Sequence, residues 1–511
     1  MIPSRNNPVV AENRKPGTLS WLPERLSFTP GTTHSQTLGG RERPRQERGA
    51  EDNVGPTSWL DTGRSTKIEG WCSAPSVKAG DSLQIFVSTM PAGEFTLDVY
   101  RMGYYERLGA RHMMSAGPIS GTAQPEPHAA DSERLIECAW TPSYEISIPS
   151  DWVSGVYLGK LTRVDDGTEN YVIFVVRDER EAEFVLHTSD FTWQAYNRWP
   201  SNYSLYQYDG IYSNGGYFWN ENAVSFERPY LSSSTAIPGA GEFFVFEFPF
   251  TYWLERMGYD VTYCSNLDTH LGTAALSRAA GFLSVGHDEY WTVAMYDNLR
   301  AAVDAGVSIG FFSGNIANFA IGLRSGISGR PDSVFSRIDR FGEKGLLARY
   351  PADHPIGMLA RQMPVPGEAP DEGRLIGAGN ELPSSGCADW VCDLPDHWVF
   401  EGTGMVKGDA IPNLVGHEWQ GLPADIEGLE IVSRGMTHDP SVGPGEYTAT
   451  VYRGPQGNLV FNASTCWWAT GLALPPGFQR PHWQGMPSAR PDARAQRITQ
   501  NVLARMIRAR T

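Results

Sequence analysis

The sequence predicts an all-β region, a β-sandwich, followed by a doubly wound α/β region. Three observations predict it. Residues 66–178 carry short β-type runs separated by turn residues, without helical runs, which is the pattern of a sandwich. From residue 184 onward, apolar strand-like runs alternate with segments of helical spacing, which is the pattern of a parallel sheet with crossover helices. Polar clusters follow three of those runs directly, at 266–270, 287–290 and 313–315. Ligands of open α/β sheets bind at the carboxyl ends of strands.

Length and composition set the bounds. A chain of 511 residues is too long for one ordinary core, so two or three domains are expected. We place an extended arm at 1–60, the sandwich at 61–178 and the α/β region at 179–511, with an irregular Pro- and Gly-rich insertion at about 337–395. The net charge of −16, from 42 basic against 58 acidic residues, argues against nucleic acid and anionic membrane as partners. No apolar run nears the length of a membrane span. The N-terminus lacks the apolar core of a signal peptide, so the expected location is cytoplasmic. Of six scattered cysteines only Cys387 and Cys392 lie close together. They read as a loop disulfide in an oxidising compartment and as two thiols in a reducing one.

Taken in order, the arm offers Trp21 and Leu22 as anchors and a basic, solvated stretch at 41–48. Sandwich strands are expected at 67–71, 82–88, 95–101, 144–148, 155–161 and 171–176. Leu83, Ile85 and Val87 alternate with polar residues, as a half-buried strand requires. A charged break, Arg177-Asp-Glu-Arg-Glu-Ala182, serves as linker. Strand 184–186 leads into a long aromatic loop, 191–220, which reads as a pocket wall or as a contact to another subunit. Pro249 starts a helix at 250–257 and Gly258 ends it. Strand 260–264, helix 274–280 and strand 282–285 follow, with Gly286 as the end of that strand. In the helix at 292–305, Val293, Tyr296, Leu299, Ala302 and Val303 recur at helical spacing. Strand 308–312 comes next, and an amphipathic helix at 493–508 closes the chain.

The densest chemistry is His287-Asp-Glu-Tyr290, placed between the strand and the helix. A bland reading has His287 capping the helix or pairing with Asp288. Four such residues in a row point instead to function. Nucleophile elbows, dinucleotide and phosphate loops and a His-Glu-x-x-His motif are all missing. What remains is carboxylates and tyrosines near strand ends. A phenolate is a hard ligand suited to ferric iron, and a metal held that way can polarise a carbonyl and activate water. Carboxylate acid–base catalysis is equally compatible.

Several motifs then occur in one order: Asn7-Pro-Val-Val, Glu12-Asn-Arg-Lys-Pro-Gly17, Tyr100-Arg-Met-Gly-Tyr104, Pro149-Ser-Asp-Trp-Val-Ser-Gly-Val-Tyr157, Trp253-Leu-Glu-Arg-Met-Gly-Tyr-Asp-Val261, Gly286-His-Asp-Glu-Tyr-Trp291, Gly416-His-Glu-Trp419 and Gln496-Arg-Ile-Thr-Gln-Asn-Val-Leu503. Together they resemble a bacterial family related to the large (beta) subunit of N,N-dimethylformamidase. The resemblance implies a β-sandwich followed by an α/β domain like class I glutamine amidotransferases, without their cysteine. It also implies a mononuclear ferric iron on two tyrosines and a glutamate. Tyr290 and Glu418 match two of these ligands. For the second tyrosine, Tyr252 lies near the expected place, while Phe248 stands at the competing register, which would leave the iron set incomplete.

The reading is therefore an iron-dependent amidohydrolase that cleaves a small amide C–N bond. Tyr290, Glu418 and Tyr252 are its metal candidates, and His287, Glu289 and Asp288 its catalytic candidates. A homo-oligomer and a small partner subunit accompany that reading. One alternative is a non-catalytic carbohydrate- or surface-binding protein, using the sandwich and the aromatic loop on a degenerate α/β scaffold. Another is a metal-free hydrolase using Glu289 and His287, whose activity survives chelation with a bell-shaped pH profile.

Overall fold

The computed structural model describes residues 7–23, 66–127, 129, 133–200, 203–206, 222–231, 241–342, 368–380, 385–439, 443–478, 482–483 and 486–510. The basic stretch 41–48, part of the aromatic loop and much of the insertion lie outside them.

The sandwich consists of a three-stranded sheet (Ile68–Cys72, Ser82–Thr89, Tyr144–Ser147) and a five-stranded sheet (Ser76–Lys78, Glu169–Arg177, Gly155–Arg163, Gly93–Met102, Ala110–Gly121). Side chains alternate across a strand, and here both sets are used. Leu97, Val99, Leu161 and Phe174 meet Leu83, Ile85 and Val87 between the sheets. Tyr100, Leu158 and Ile173 point the other way, into the core shared with the helix Phe248–Arg256. The strands Gly155–Arg163 and Glu169–Arg177 of the five-stranded sheet are thus buried on both faces and cement the sandwich to the rest of the molecule.

A buried ion pair crosses that seam. Arg101 donates to both oxygens of Glu255 at 2.8 and 3.1 Å, and neither side chain is exposed. Asn13 at the end of the helix Pro8–Asn13 and Tyr263 donate to the same carboxylate at 2.7 and 2.9 Å. The expected arm anchors Trp21 and Leu22 are buried.

The large sheet has nine strands. Its first five are parallel and lie in the order Val261–Ser265, Ala182–Thr188, Ala279–His287, Ser308–Gly314, Leu459–Asn462. In chain order that is 2-1-3-4-5, a doubly wound arrangement. Both faces carry helices. Leu186, Leu283, Val285 and Phe312 pack with Ile498, Val502 and Leu503 of the helix Ala493–Arg510. Their neighbours Val185, Phe282, Ile309 and Phe311 pack with Met295, Leu299 and Val303 of the helix Val293–Asp304. Four antiparallel strands extend the sheet: Gly443–Arg453, Glu430–Asp439, Ser385–Val391 and Ala410–Glu418. A separate four-stranded sheet joins Ala223–Ser225, Val334–Arg340, Phe319–Arg324 and Tyr290–Trp291.

Two expectations need correction. No helix spans 274–280. A single turn, Leu276–Arg278, stands there and Ala279 begins the strand. The helix comes earlier, at Asn266–Leu271, because Ser265 and Asp268 form a reciprocal capping box and Gly272 stops it at φ +71°. Residues 337–395 are also less irregular than their composition suggests, since Ser385–Val391 pairs with Ala410–Glu418. No two of the six cysteines form a disulfide, and all six are buried. Among the described residues no helix is long and apolar enough to cross a membrane.

Candidate functional site at the carboxyl edge of the sheet

The strand Ala279–His287 delivers His287 to the carboxyl edge, beside the switch point where strand order reverses. Gly286 makes this delivery possible. Its φ is +80°, and a Cβ there would sit inside the Phe246 side chain. Phe246 belongs to a π-helical turn, Phe243–Glu247, a rare geometry found often at functional sites.

Carboxylates from three segments converge on the His287 ring. Glu242 Oε2 lies 3.3 Å from Nδ1, Glu418 Oε2 lies 2.7 Å from Nε2, and Glu289 Oε2 lies 3.3 Å from Nε2. The ring is buried, and its Nε2 has no aligned hydrogen-bond partner despite those close oxygens. Cys466 completes the group. Its sulfur, His287 and the Glu418 carboxylate offer donor atoms within 4.8 Å of one another.

Gly314, at the end of the next strand, lets these segments meet. A Cβ there would collide with the Glu418 carbonyl and lie 2.6 Å from the Cys466 nitrogen. Asn315 then donates to Glu418 Oε2 at 2.8 Å. Asn315, His417 and Ser464 all hold positive φ, at +52°, +44° and +59°. Non-glycine residues in that region store strain, which clusters at functional sites.

Behind Glu289 lies a layer of phenols. Tyr196 donates to Glu289 Oε2 at 2.6 Å and Tyr206 to Oε1 at 3.4 Å. The Tyr206 and Tyr290 hydroxyls are in direct contact. Asn318 donates to Oε1 at 3.3 Å, and the Glu289 N–H binds Thr192 Oγ1 at 3.0 Å.

The electrostatics follow from burial and these neighbours. Burial works against a charged His287, but Glu242 and Glu418 overcome it and raise its pKa well above the ordinary value. Burial pushes Glu242 up to about 7, with His287 opposing. Burial also acts to raise Glu418, yet the His287 and His417 rings hold it below the usual carboxylate range. Burial takes His417 down to about 4. Tyr196, Tyr206 and Tyr290 are pushed well up, by burial first and then by Glu289. With no metal bound, these directions pair a charged His287 with the Glu418 carboxylate and leave His417 and the phenols neutral. Solvent reaches the group at Glu418 and His417, whose side chains are 15% and 21% exposed.

The structure brings together His287, Glu289 and Glu418, with Tyr290 behind them. It does not bring Asp288 or Tyr252. Asp288 points to the other side of the chain, where it binds His187 Nε2 at 2.6 Å and Ser284 at 2.8 Å. Burial acts to raise its carboxyl pKa, but His187 and Ser284 together bring it below the ordinary value. Tyr252 packs edge-on against Tyr104 and Phe248, in the core between its helix and the sandwich. Phe248 also lies in that core, against Trp21 and Phe243. The ring that does face the site is Phe246, 6.0 Å from His287 and 5.8 Å from His417, and it has no hydroxyl. A ferric ion on Tyr290, Tyr252 and Glu418 therefore does not fit this arrangement.

Tyr196 and Tyr206 come from the aromatic loop 191–220, read as a pocket wall, and stand against Glu289, whereas Glu242 and Cys466 carry no site role in the sequence reading. One signal for Glu242 was present: it opens the apolar run Glu242-Phe-Phe-Val-Phe-Glu247, where a carboxylate has no reason to be buried without a partner.

Comparison with known proteins now bears on this geometry. A family model described as N,N-dimethylformamidase beta subunit-like, C-terminal, matches residues 96–484. The chain belongs to that family. The matched span holds every residue of the site just described. No curated protein matches. One solved structure, described as the structural basis of T cell specificity and activation by the bacterial superantigen toxic shock syndrome toxin-1, is similar over 21% of this chain and 97% of its own, at 17% identity and a TM-score of 0.13. A likeness that weak carries no argument about fold or function.

Proposed function

We propose that this member of the N,N-dimethylformamidase beta subunit-like family is a metal-dependent amidohydrolase that cleaves the C–N bond of a small amide. The observation that supports it most is the convergence of Glu242, Glu289 and Glu418 on one buried imidazole at the carboxyl edge. A site of that kind supplies a base, a positive charge and fixed donors in little space. Its limited exposure at Glu418 and His417 suits a small substrate.

The roles follow from reach. Glu418 is the accessible carboxylate, and its oxygen not engaged by His287 and Asn315 takes the proton of the attacking water. Oxygen adds to the amide carbon, the C–N bond breaks, and the leaving nitrogen receives that proton as the amine departs. His287 holds Glu418 in place and keeps positive charge, its own or that of a metal held at Nε2, near the carbonyl oxygen. Glu289, fixed by Tyr196, Tyr206 and Asn318, orients His287. A metal in such a site would polarise the carbonyl or lower the pKa of bound water. The amidotransferase-like reading of the α/β part belongs to the same proposal, supported by the 2-1-3-4-5 strand order. The family's description as a beta subunit supports a small partner subunit.

The test is amine release from formamide, N,N-dimethylformamide and acetamide by the full chain, with and without a chelator, beside a Glu418→Gln variant. Release that falls on chelation and in the variant is expected. No release from any of the three amides overturns the substrate class, and release unaffected by the chelator overturns the metal dependence.

A further inference from the structure

We propose that His287 Nε2, the Glu418 carboxylate and Cys466 Sγ together bind one divalent transition metal, in place of a ferric ion held by tyrosinates. The donors are within 4.8 Å of one another, a span that ligands of a single ion occupy. His287 carries the decisive sign. Its Nδ1 faces the Glu242 carboxylate at 3.3 Å, as metal-binding histidines place their other nitrogen on a carboxylate. Its Nε2 is buried, lacks an aligned hydrogen bond, and faces the Glu418 carboxylate. Glu418 is itself held by Asn315 at 2.8 Å, the supporting hydrogen bond a ligating carboxylate needs.

Cys466 has a blander explanation, as a small buried hydrophobe beside Val245, Phe246 and Trp467. That accounts for the sulfur's neighbours. It does not account for a buried imidazole nitrogen that faces two carboxylates without an aligned hydrogen bond to either. A cation between them accounts for both. A nitrogen, oxygen and sulfur donor set selects a borderline divalent ion such as zinc or ferrous iron, whereas ferric iron prefers hard phenolates. The phenols here are otherwise engaged: Tyr196 and Tyr206 on Glu289, Tyr290 on Tyr206.

The inference shares its site with the proposed hydrolysis and rests on that reading of the edge. Its test reads the metal rather than turnover, so either can fail alone. Metal-stripped full-length protein is titrated with Co²⁺ and followed by absorption. The expected result is one equivalent bound, with a near-ultraviolet sulfur-to-cobalt charge-transfer band. Cys466→Ser should abolish the band and weaken Co²⁺ binding by at least the roughly 10–100-fold seen when a merely supporting residue is lost. Glu418→Gln, which keeps the shape, should weaken binding similarly and keep the band at saturation, so the inference stays testable should Cys466→Ser fail to fold. Tyr290→Phe should change neither. No Co²⁺ binding, binding without the band, a band that survives Cys466→Ser, or loss of binding in Tyr290→Phe would each overturn the assignment.

Discussion

Replacing Glu255 by leucine should unfold the seam between the sandwich and the large sheet more readily than its distance from the proposed site suggests. The carboxylate accepts four hydrogen bonds, two from Arg101 and one each from Asn13 and Tyr263. Without it, the Arg101 guanidinium stays fully buried with only uncharged acceptors: the carbonyls of Met102, Val153 and Ser154 and the Tyr105 hydroxyl. Breaking a buried pair by removing one partner costs about 3–5 kcal/mol. At about 2–4 °C per kcal/mol for a large cooperative unit, the melting temperature should fall by roughly 6–20 °C. The double variant Arg101→Met/Glu255→Leu removes both charges together and should recover most of the loss, because an apolar pair of similar volume often substitutes without penalty. Calorimetry on wild type, both single variants and the double variant forms the complete cycle. A loss under about 1 kcal/mol in Glu255→Leu, or a double variant no more stable than it, would refute the reasoning.

Glu372 gives a pH prediction away from the site. Burial raises its carboxyl to about 7, with the Asn380 N–H acting in the opposite direction. The unfolded chain ionises it near 4.5, so the folded state holds the proton longer and stability falls as pH rises from about 4.5 to about 7. Glu372→Gln cannot ionise. Its stability relative to wild type should therefore grow by a few kcal/mol across that window, and parallel melting curves at pH 4.5 and 7.5 with no such divergence would count against it. Gly314→Ala forces a methyl group against the Glu418 carbonyl and the Cys466 nitrogen. Overpacking of that kind costs about 1–3 kcal/mol, and here it should also loosen Co²⁺ binding, measured in the same titration, whereas Gly306→Ala, at a half-buried turn before the same strand's opposite end, should leave Co²⁺ binding intact.

The parts of the fold that were legible in the sequence are those stabilised by local pattern. Leu83, Ile85 and Val87 alternate because one face of their strand meets a core, and the helix Val293–Asp304 announces itself through its apolar spacing. Ala110–Gly121 escaped notice because it pairs along one side only, with Gly93–Met102, and is largely exposed, so no period-two signal forms. The hairpin of Glu430–Asp439 and Gly443–Arg453 and the pairing of Ser385–Val391 with Ala410–Glu418 depend on long-range register that composition does not encode. At the site, His287 and Glu289 were visible because they follow a strand. Their neighbour Asp288 looked equivalent, and only the backbone's alternation turns it toward His187. Tyr252 was correctly placed on a helix, but which face of that helix meets Tyr104 depends on the sandwich docking beside it. Glu242 and Cys466 join the site from distant segments, a convergence that one sequence does not display.

The central claim, that chemistry occurs on the His287 side of this edge, is tested most directly by amine release from a small amide in His287→Gln beside Asp288→Asn. The account predicts that His287→Gln lowers the rate per folded molecule by about 10²–10⁴-fold, a loss beyond any fall in melting temperature from taking the ring away from the buried Glu242 and Glu418. Asp288→Asn, which loosens the His187 and Ser284 network, should lower the melting temperature and retain most of the rate per folded molecule. Wild-type rates in His287→Gln, or a rate lost only in Asp288→Asn, would contradict it.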